Sequence, residues 1–239
     1  MTGGKEPLSV PFHDDCHHLL AKYVGTDTLN PFAWFEALEN LAGSEEWCYL
    51  SEVDYGDISK QMGPLWYPRR GDEWCIHNPV QIPELDEYYA NLPGYDPEQN
   101  VEPADPRSLT SSDPFSLLAP EIMSGILSLL SSHDMKNLQH VSRSASIVPL
   151  SNSFWRGKIV RDMPWLYDLP EPAKPIIPDW TKVYERLADA TTPSSESVIR
   201  GLANRRRIWT QTLPQIARHY YKMLDDQCDN TSATLRACR

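Results

Sequence analysis

Four side chains near the N-terminus have types and spacings that could bind a metal ion: His13, Cys16, His17 and His18. On a helix, His13 would approach both Cys16, three positions on, and His17, four positions on. Imidazole and thiolate are ligands that zinc prefers, but a structural zinc site needs four of them. No cysteine lies upstream to complete the set, and the other four cysteines are widely spaced. We therefore expect no metal, and we interpret Cys16 as a small buried apolar residue. A zinc-binding scaffold is the unfavoured alternative.

Nucleophilic catalysis is the second chemistry that these residues suggest, because Cys16 stands beside His17. Adjacent residues seldom form a nucleophile and base pair, and the local sequence typical of cysteine proteases is missing. The chain also has no Gly-x-Ser-x-Gly, no glycine-rich phosphate loop and no His-Glu-x-x-His. The sequence thus predicts a protein that is not an enzyme and uses no cofactor. Arg205–Arg207 could bind an acidic target or direct localisation, but we expect a solvated helix face with the stem of Arg206 packed.

The net charge and the hydropathy of the chain limit the classes of partner that it is expected to bind. The net charge is −11, and the acidic residues concentrate in the first half, before residue 114. Such a surface argues against binding of nucleic acid or anionic membranes. No run approaches the length of a membrane span, and the first residues lack the pattern of a signal peptide. We expect an intracellular protein, cytoplasmic or nuclear or both, with reduced thiols.

Helical periodicity appears on both sides of an irregular region. Residues 12–24 and 31–41 are predicted helices, the second with Pro31 at its first position. Residues 52–110 are rich in proline and aromatic residues, so we expect an extended segment that becomes a linker near 96–112. Further helices are predicted over 178–190 and 198–211, with Pro214 kinking or restarting the last one.

The most apolar long stretch, residues 113–143, predicts two short helices and leads into a third. Pro120 suits the first turn of a helix whose apolar stripe contains Ile122, Met123, Ile126, Leu129 and Leu130. Ser132 is the expected cap of the second helix, and the third is expected to begin between 149 and 153. A unit of three short helices is marginal by itself, so part of the stripe would stay available to a partner.

The order of segments from Asp113 to Trp155 resembles an F-box. The matching residues are Asp113 to Ile122, Asp134 to Leu138, Val141 to Arg143 and Ser153 to Trp155. Residues 54–56, 78–85, 163–169 and 204–209 are also similar to stretches in a group of fungal F-box proteins. The resemblance implies docking on the Skp adaptor of a Skp–cullin–F-box ubiquitin ligase, while the rest of the chain recruits a target. The adaptor contacts that it implies are Pro114, Leu117, Leu118, Pro120, Glu121, Ile122, Ile126, Leu130, Val141, Ser142 and Trp155.

The expected fold is mostly α, with a three-helix F-box unit flanked by an irregular N-terminal region and C-terminal helices. The predicted domains are an acidic region over 1–111, the F-box over 112–160 and a helical region over 161–239. The expected partners are the Skp adaptor, a cullin through it, and an unknown protein destined for ubiquitination. The alternative is an interaction module outside any ligase, with the stripe bound to another protein or buried in its own chain. Exposure of Leu117 and Leu129 distinguishes a docking face from a buried one.

Overall fold

The computed structural model describes residues 14–42, 50, 52–56, 70–96, 113–171, 177–194 and 196–237, with side chains in the last helix up to Gln227. His13, the linker expected near 96–112 (after Asp96) and Cys48 lie outside these residues. Within them the chain is mostly helical, which confirms the expected fold class. The only extended pairing in the described ranges is an isolated bridge between Gly94 and Pro178.

The described residues form the following helices, in chain order. They are α1 (Asp14–Val24), α2 (Pro31–Ala42), α3 (Pro83–Ala90), α4 (Pro120–Leu129), α5 (Ser132–Val141), α6 (Arg143–Ser146), α7 (Asn152–Asp162), α8 (Trp180–Ala190), α9 (Leu202–Arg207) and α10 (Leu213–Ala237). A 3₁₀ turn spans Glu73–Ile76, and a π-helical turn, Ile208–Thr212, joins α9 to α10.

The chain forms two compact units. The first unit combines Met1–Leu85 with Ala190–Arg239, and the second is Asp86–Asp189. The division into 1–111, 112–160 and 161–239 stays a prediction, and the compact units have other boundaries. The first unit joins the two ends of the chain because α10 packs along α2 and also contacts α1.

Helix α2 begins where the sequence predicts it. The Asn30 side chain accepts hydrogen bonds from the backbone of Phe32 and Ala33 at 3.0 and 3.2 Å, which satisfies two N–H groups of the first turn. The Asn30 N–H donates to the Tyr220 hydroxyl of α10 at 2.9 Å. Buried residues at helical spacing on α2 include Ala33, Ala37 and Leu41, so most of the apolar stripe is used within the first unit, although Phe32 at its start is 75% exposed.

Two expectations about helix position are corrected. Residues 52–110 were expected to be extended, yet α3 forms there because Pro83 fits a first helical turn and Leu85 is fully buried. The single helix expected over 198–211 begins only at Leu202. Gly201 precedes it with a φ of +92°, and the π-helical turn interrupts it before Pro214.

The second unit has a small core between α4, α5 and α6. Its fully buried members are Met123, Leu127, Met135 and Ala145. Helix α5 is capped by Ser131 rather than the expected Ser132: the Ser131 hydroxyl accepts from the Asp134 N–H at 3.1 Å and donates to its carboxylate at 2.7 Å. Helix α7 is capped in the same way by Ser151.

Candidate partner-binding surface

Helix α4 is apolar on two faces, and only one of them is buried. Met123 and Leu127, four positions apart, lie inside the core of the second unit. Ile122 and Leu129, seven positions apart, share another face, with exposed fractions of 56% and 75%. The single stripe expected from the sequence is therefore divided into a core face and an exposed face. We call Leu117, Leu118, Ile122 and Leu129 the exposed apolar set.

The segment before α4 contributes the first two members of this set. Leu117 is 94% exposed, and Leu118 is also exposed. The Leu118 N–H donates to the Phe115 carbonyl at 3.0 Å, so the two leucines stand in a defined turn. Pro120 then begins the helix, and its fixed φ limits the angle between the turn and α4. The leucines are thus exposed on ordered backbone.

Asp113 holds this turn in place, a role that the sequence reasoning missed. Its carboxylate accepts hydrogen bonds from the backbone N–H groups of Phe115 and Ser144, each at 2.9 Å. These two bonds, first that from Ser144, lower the Asp113 pKa to about 2. An Asp-Pro pair at the start of a turn was the available signal, because aspartate bonds the backbone two residues on. The contact with Ser144 lies 31 positions away and has no local signal.

Ser142 is the predicted contact that the structure does not bring to the surface. Its exposed fraction is only 3%. The hydroxyl donates to Asp113 at 3.0 Å and accepts from the Ala145 N–H at 3.1 Å, which caps α6. Helix α6 was not expected from the sequence, so this capping role was hidden. Ser142 supports the turn that carries Leu117 and Leu118 from within the unit.

The other end of α4 is fixed by two basic residues of α7. The buried ammonium of Lys158 donates to the Leu130 carbonyl at 2.6 Å, and Arg161 donates to the Ser128 carbonyl. Ser128 lies in the last turn of α4 and Leu130 is its C-cap residue, where carbonyls lack partners inside the helix. Leu129 lies between these two anchored residues. Its exposed side chain is therefore carried by a backbone that is held on both sides.

The charge of Lys158 is compensated inside the second unit. Its ammonium lies 2.9 Å from the Asp162 carboxylate, and the Tyr184 hydroxyl donates to the same oxygen at 2.9 Å. Burial raises the Tyr184 pKa to about 12; a hydrogen bond with Ser132 opposes this rise, and the hydrogen bond to Asp162 and its charge add to it. Tyr184 thus stays a neutral donor across the physiological range. This network joins the α4 terminus to α7 and α8 through polar groups that satisfy one another.

The remaining predicted contacts fall into two groups. Exposed on the second unit are Pro114, Pro120, Glu121 and Val141, the last with 82% of its surface accessible. The half-buried residues are Ile126, Leu130 and Trp155. The Trp155 ring packs against those of Phe154 and Tyr184, with centroids 5.5 and 5.3 Å apart. Trp155 is therefore partly committed to the unit's own packing.

The residues first considered for metal or thiol chemistry are not assembled into a site. Cys16 was expected to be buried, and this prediction is wrong because the residue is exposed. Desolvation of its sulfur and then the negative charge of Asp15 still raise its pKa, so the reactive thiolate is disfavoured. Among the described residues, no group of three or more His, Cys, Asp or Glu side chains is placed to hold a metal ion. His13 lies outside them.

The expectation of a solvated arginine face is corrected at Arg205. This side chain is fully buried, and its guanidinium donates to the carbonyls of Pro79 and Val80 at 2.6 and 3.0 Å. Arg206, expected to pack its stem, is the exposed member. Arg205 thus ties α9 to the segment before α3, and a planar donor suits two adjacent carbonyls better than a lysine would.

Comparison with known proteins gives no relative. No protein-family model, curated protein or solved structure matches the chain. In the described ranges, none of the helices combines the length and the apolar character that crossing a membrane requires. The candidate site is an exposed apolar set on a backbone that hydrogen bonds fix at both ends.

Proposed function

We propose that the chain is an F-box receptor that docks on a Skp adaptor and recruits a protein for ubiquitination. The observation that carries this proposal is the exposed apolar set on the second unit. An exposed group of large apolar side chains is typical of a protein interface, and a partner helix can bury them. The resemblance of residues 113–155 to an F-box supplies the identity of the partner.

The free energy available to docking comes from burial of these side chains. Burying one large aliphatic side chain contributes roughly 1.5–3 kcal/mol before the cost of association is subtracted. Leu117, Ile122 and Leu129 have most of their surface still to bury. The anchored backbone around them lowers the ordering cost, because the turn and the end of α4 are already fixed.

The receptor acts by positioning rather than by chemistry of its own. In the proposed complex, the cullin-bound machinery transfers ubiquitin, and this chain holds a target lysine within reach by raising its effective concentration. The aromatic-rich part of 52–95 and the helices after residue 178 are the proposed target-binding regions. The target is an unknown protein.

A second candidate function is an interaction module that works outside any ligase. The same exposed apolar set favours it, since exposure indicates a partner without naming one. Exposure of Leu117 and Leu129 argues against the version in which the stripe is buried in its own chain. The two candidates differ in whether a Skp adaptor is the protein bound.

Co-expression with a Skp adaptor tests the proposal. We expect the wild-type chain to co-purify with the adaptor as a stoichiometric complex, and Leu117→Asp to lose it. A matched control is Val198→Asp, which places the same charge at an exposed aliphatic residue of the first unit. Because Leu117 is almost fully exposed, its substitution should leave the helical content unchanged. A wild-type chain that stays alone, or a Leu117→Asp chain that binds fully, would contradict the proposed docking.

A further inference from the structure

The first unit contains a cavity that the proposed docking does not use. Its volume is about 440 Å³, within the range of small-ligand sites. The lining residues that matter for recognition are Asp72, Trp74, Arg206, Arg207, Thr210 and Gln211. Among the lining residues that the structure describes, two guanidinium groups accompany one carboxylate, an excess of cationic side chains in an acidic chain.

The guanidinium of Arg207 has only part of its hydrogen-bonding capacity satisfied. Its Nε and Nη2 both donate to the Asn204 side-chain oxygen, at 3.2 and 2.9 Å. Asn204 is itself buried and donates to the His77 carbonyl at 2.9 Å, which fixes the acceptor. The Nη1 group is shielded from solvent and makes no hydrogen bond with the described residues. One edge of the fork is therefore satisfied and the other is not.

The charge of Arg207 also lacks a described counter-ion. The groups that interact with it electrostatically are the thiols of Cys75 and Cys16 and the phenol of Tyr55. Desolvation raises the pKa of each of these three groups, so they stay neutral at physiological pH. Desolvation is also the main influence on the half-buried Arg207, and it lowers the pKa of the guanidinium. A cation withdrawn from water ordinarily has an anionic partner, because desolvation without one is costly.

We propose that this cavity binds a small organic oxyanion, a phosphate or a carboxylate attached to an aromatic ring. The Arg207 guanidinium lines the cavity and would meet the oxyanion there, with Arg206 as a second guanidinium in the lining. A planar guanidinium matches both phosphate and carboxylate oxygens. Trp74 supplies a flat wall for the ring, and the Thr210 hydroxyl and Gln211 amide supply polar contacts. This site lies in the first unit and does not depend on docking to an adaptor.

Isothermal titration of the full chain with three matched compounds tests this site. Phenyl phosphate and benzoate carry the two kinds of oxyanion, and phenol carries the ring alone. We expect saturable one-to-one binding of at least one anion, weakened by added salt, and no comparable binding of phenol. The stronger of the two anions then identifies the ligand as a phosphate or a carboxylate. Equal binding of phenol, or no binding of any compound, would overturn the proposal.

Substitution of Arg207 tests its role directly. Arg207→Met should weaken anion binding about ten-fold or more, since a charged hydrogen bond is lost. Its unfolding temperature should change little, because removal of an unpaired charge offsets the loss of two hydrogen bonds to Asn204. The control Arg218→Met removes an exposed arginine of α10 and should bind as wild type does. If Arg207→Met does not fold, Arg207→Lys keeps the charge but not the fork, and its affinity should fall. Unchanged affinity in whichever of the two variants folds would refute the site.

Discussion

Helices α2 and α4 differ in how they use their apolar residues. On α2, residues spaced by four positions are buried within the first unit, where α10 packs along the helix. On α4, Met123 and Leu127 are buried in the same manner, but Ile122 and Leu129 remain exposed. Both sequences predict an amphipathic helix. Periodicity therefore identifies a helix with an apolar face, whereas the neighbouring elements available for packing decide how much of that face is buried.

Hydrogen bonds fix the backbone at both ends of the exposed face of α4. Lys158 and Arg161 bind the carbonyls at its C-terminal end, while Asp113 fixes the turn before its first residue. Burying the Lys158 ammonium is costly without an anionic partner, and Asp162 supplies that partner. The arrangement orders the backbone beneath Leu117, Ile122 and Leu129, which keep most of their surface exposed within the unit.

The largest expected effect is the difference in free energy of unfolding between substitutions on the two faces of α4. Leu127→Ala should lower the free energy of unfolding by about 2–5 kcal/mol, because it opens a cavity in the small core of the second unit. Leu129→Ala, the same change two positions on, should shift it by no more than about 0.5 kcal/mol. Urea denaturation of the isolated chain measures both. A comparable loss in the two variants would mean that Leu129 is buried within the chain and that α4 has no free face.

The next largest effect on stability is expected from alanine substitutions at two glycines, one in each unit. Gly201→Ala should destabilise the first unit by roughly 1–3 kcal/mol or more, because φ is +92° there and the added carbon would meet the Asn78 carbonyl oxygen. Gly125→Ala should instead stabilise α4 by about 0.5–1 kcal/mol, because its helical position has open space. Thermal unfolding distinguishes them. Stabilisation by Gly201→Ala would show that the loop before α9 differs from the one described.

The smallest effect concerns pH and the turn before α4. The pKa of Asp113 is lowered from its ordinary 3.8 to about 2, so its contribution to folding is complete above pH 3.8 and lost as the pH falls toward 2. We expect the stability of Asp113→Asn to decline less between pH 4 and 2 than that of wild type. Denaturation at several acidic pH values measures the slopes. A control, Asp189→Asn at an exposed position of α8, should keep the wild-type slope, and parallel slopes for all three proteins would contradict the anchoring role.

Local signals predicted much of the fold. Pro31 and Pro120 at first helical positions, and the helical spacing of Trp180, Val183 and Leu187, correctly placed α2, α4 and α8. Element boundaries set by close backbone approach were missed. Gly201 precedes α9 and lies close against Asn78, more than 120 positions away, and no local pattern indicates that contact. The sequence likewise could not place Arg205 in the interior, since its acceptors are the carbonyls of a distant segment.

The candidate surface shows the same limit. Leu117, Leu118 and Ile122 were named from the sequence and are exposed in the structure. Which residues hold them could not be inferred, because Lys158 and Ser142 act through contacts about 30 positions apart in the chain. Ser142 was assigned to a partner because it matches a contact position in the F-box resemblance, and its capping role depends on α6, which was not expected. Periodicity and the resemblance together named the apolar residues, and only tertiary structure separated the exposed ones from their supports.

Calorimetric titration of a purified Skp adaptor into the isolated chain, with wild type beside Leu129→Asp, is the most direct test of the central claim. The account predicts one-to-one binding by wild type and a loss of at least about ten-fold in affinity for Leu129→Asp, with both proteins unfolding at similar temperatures. Val198→Asp should bind as wild type does. Equal affinity of wild type and Leu129→Asp, or no heat of binding with either, would contradict the claim that the exposed face of α4 is the docking surface for a Skp adaptor.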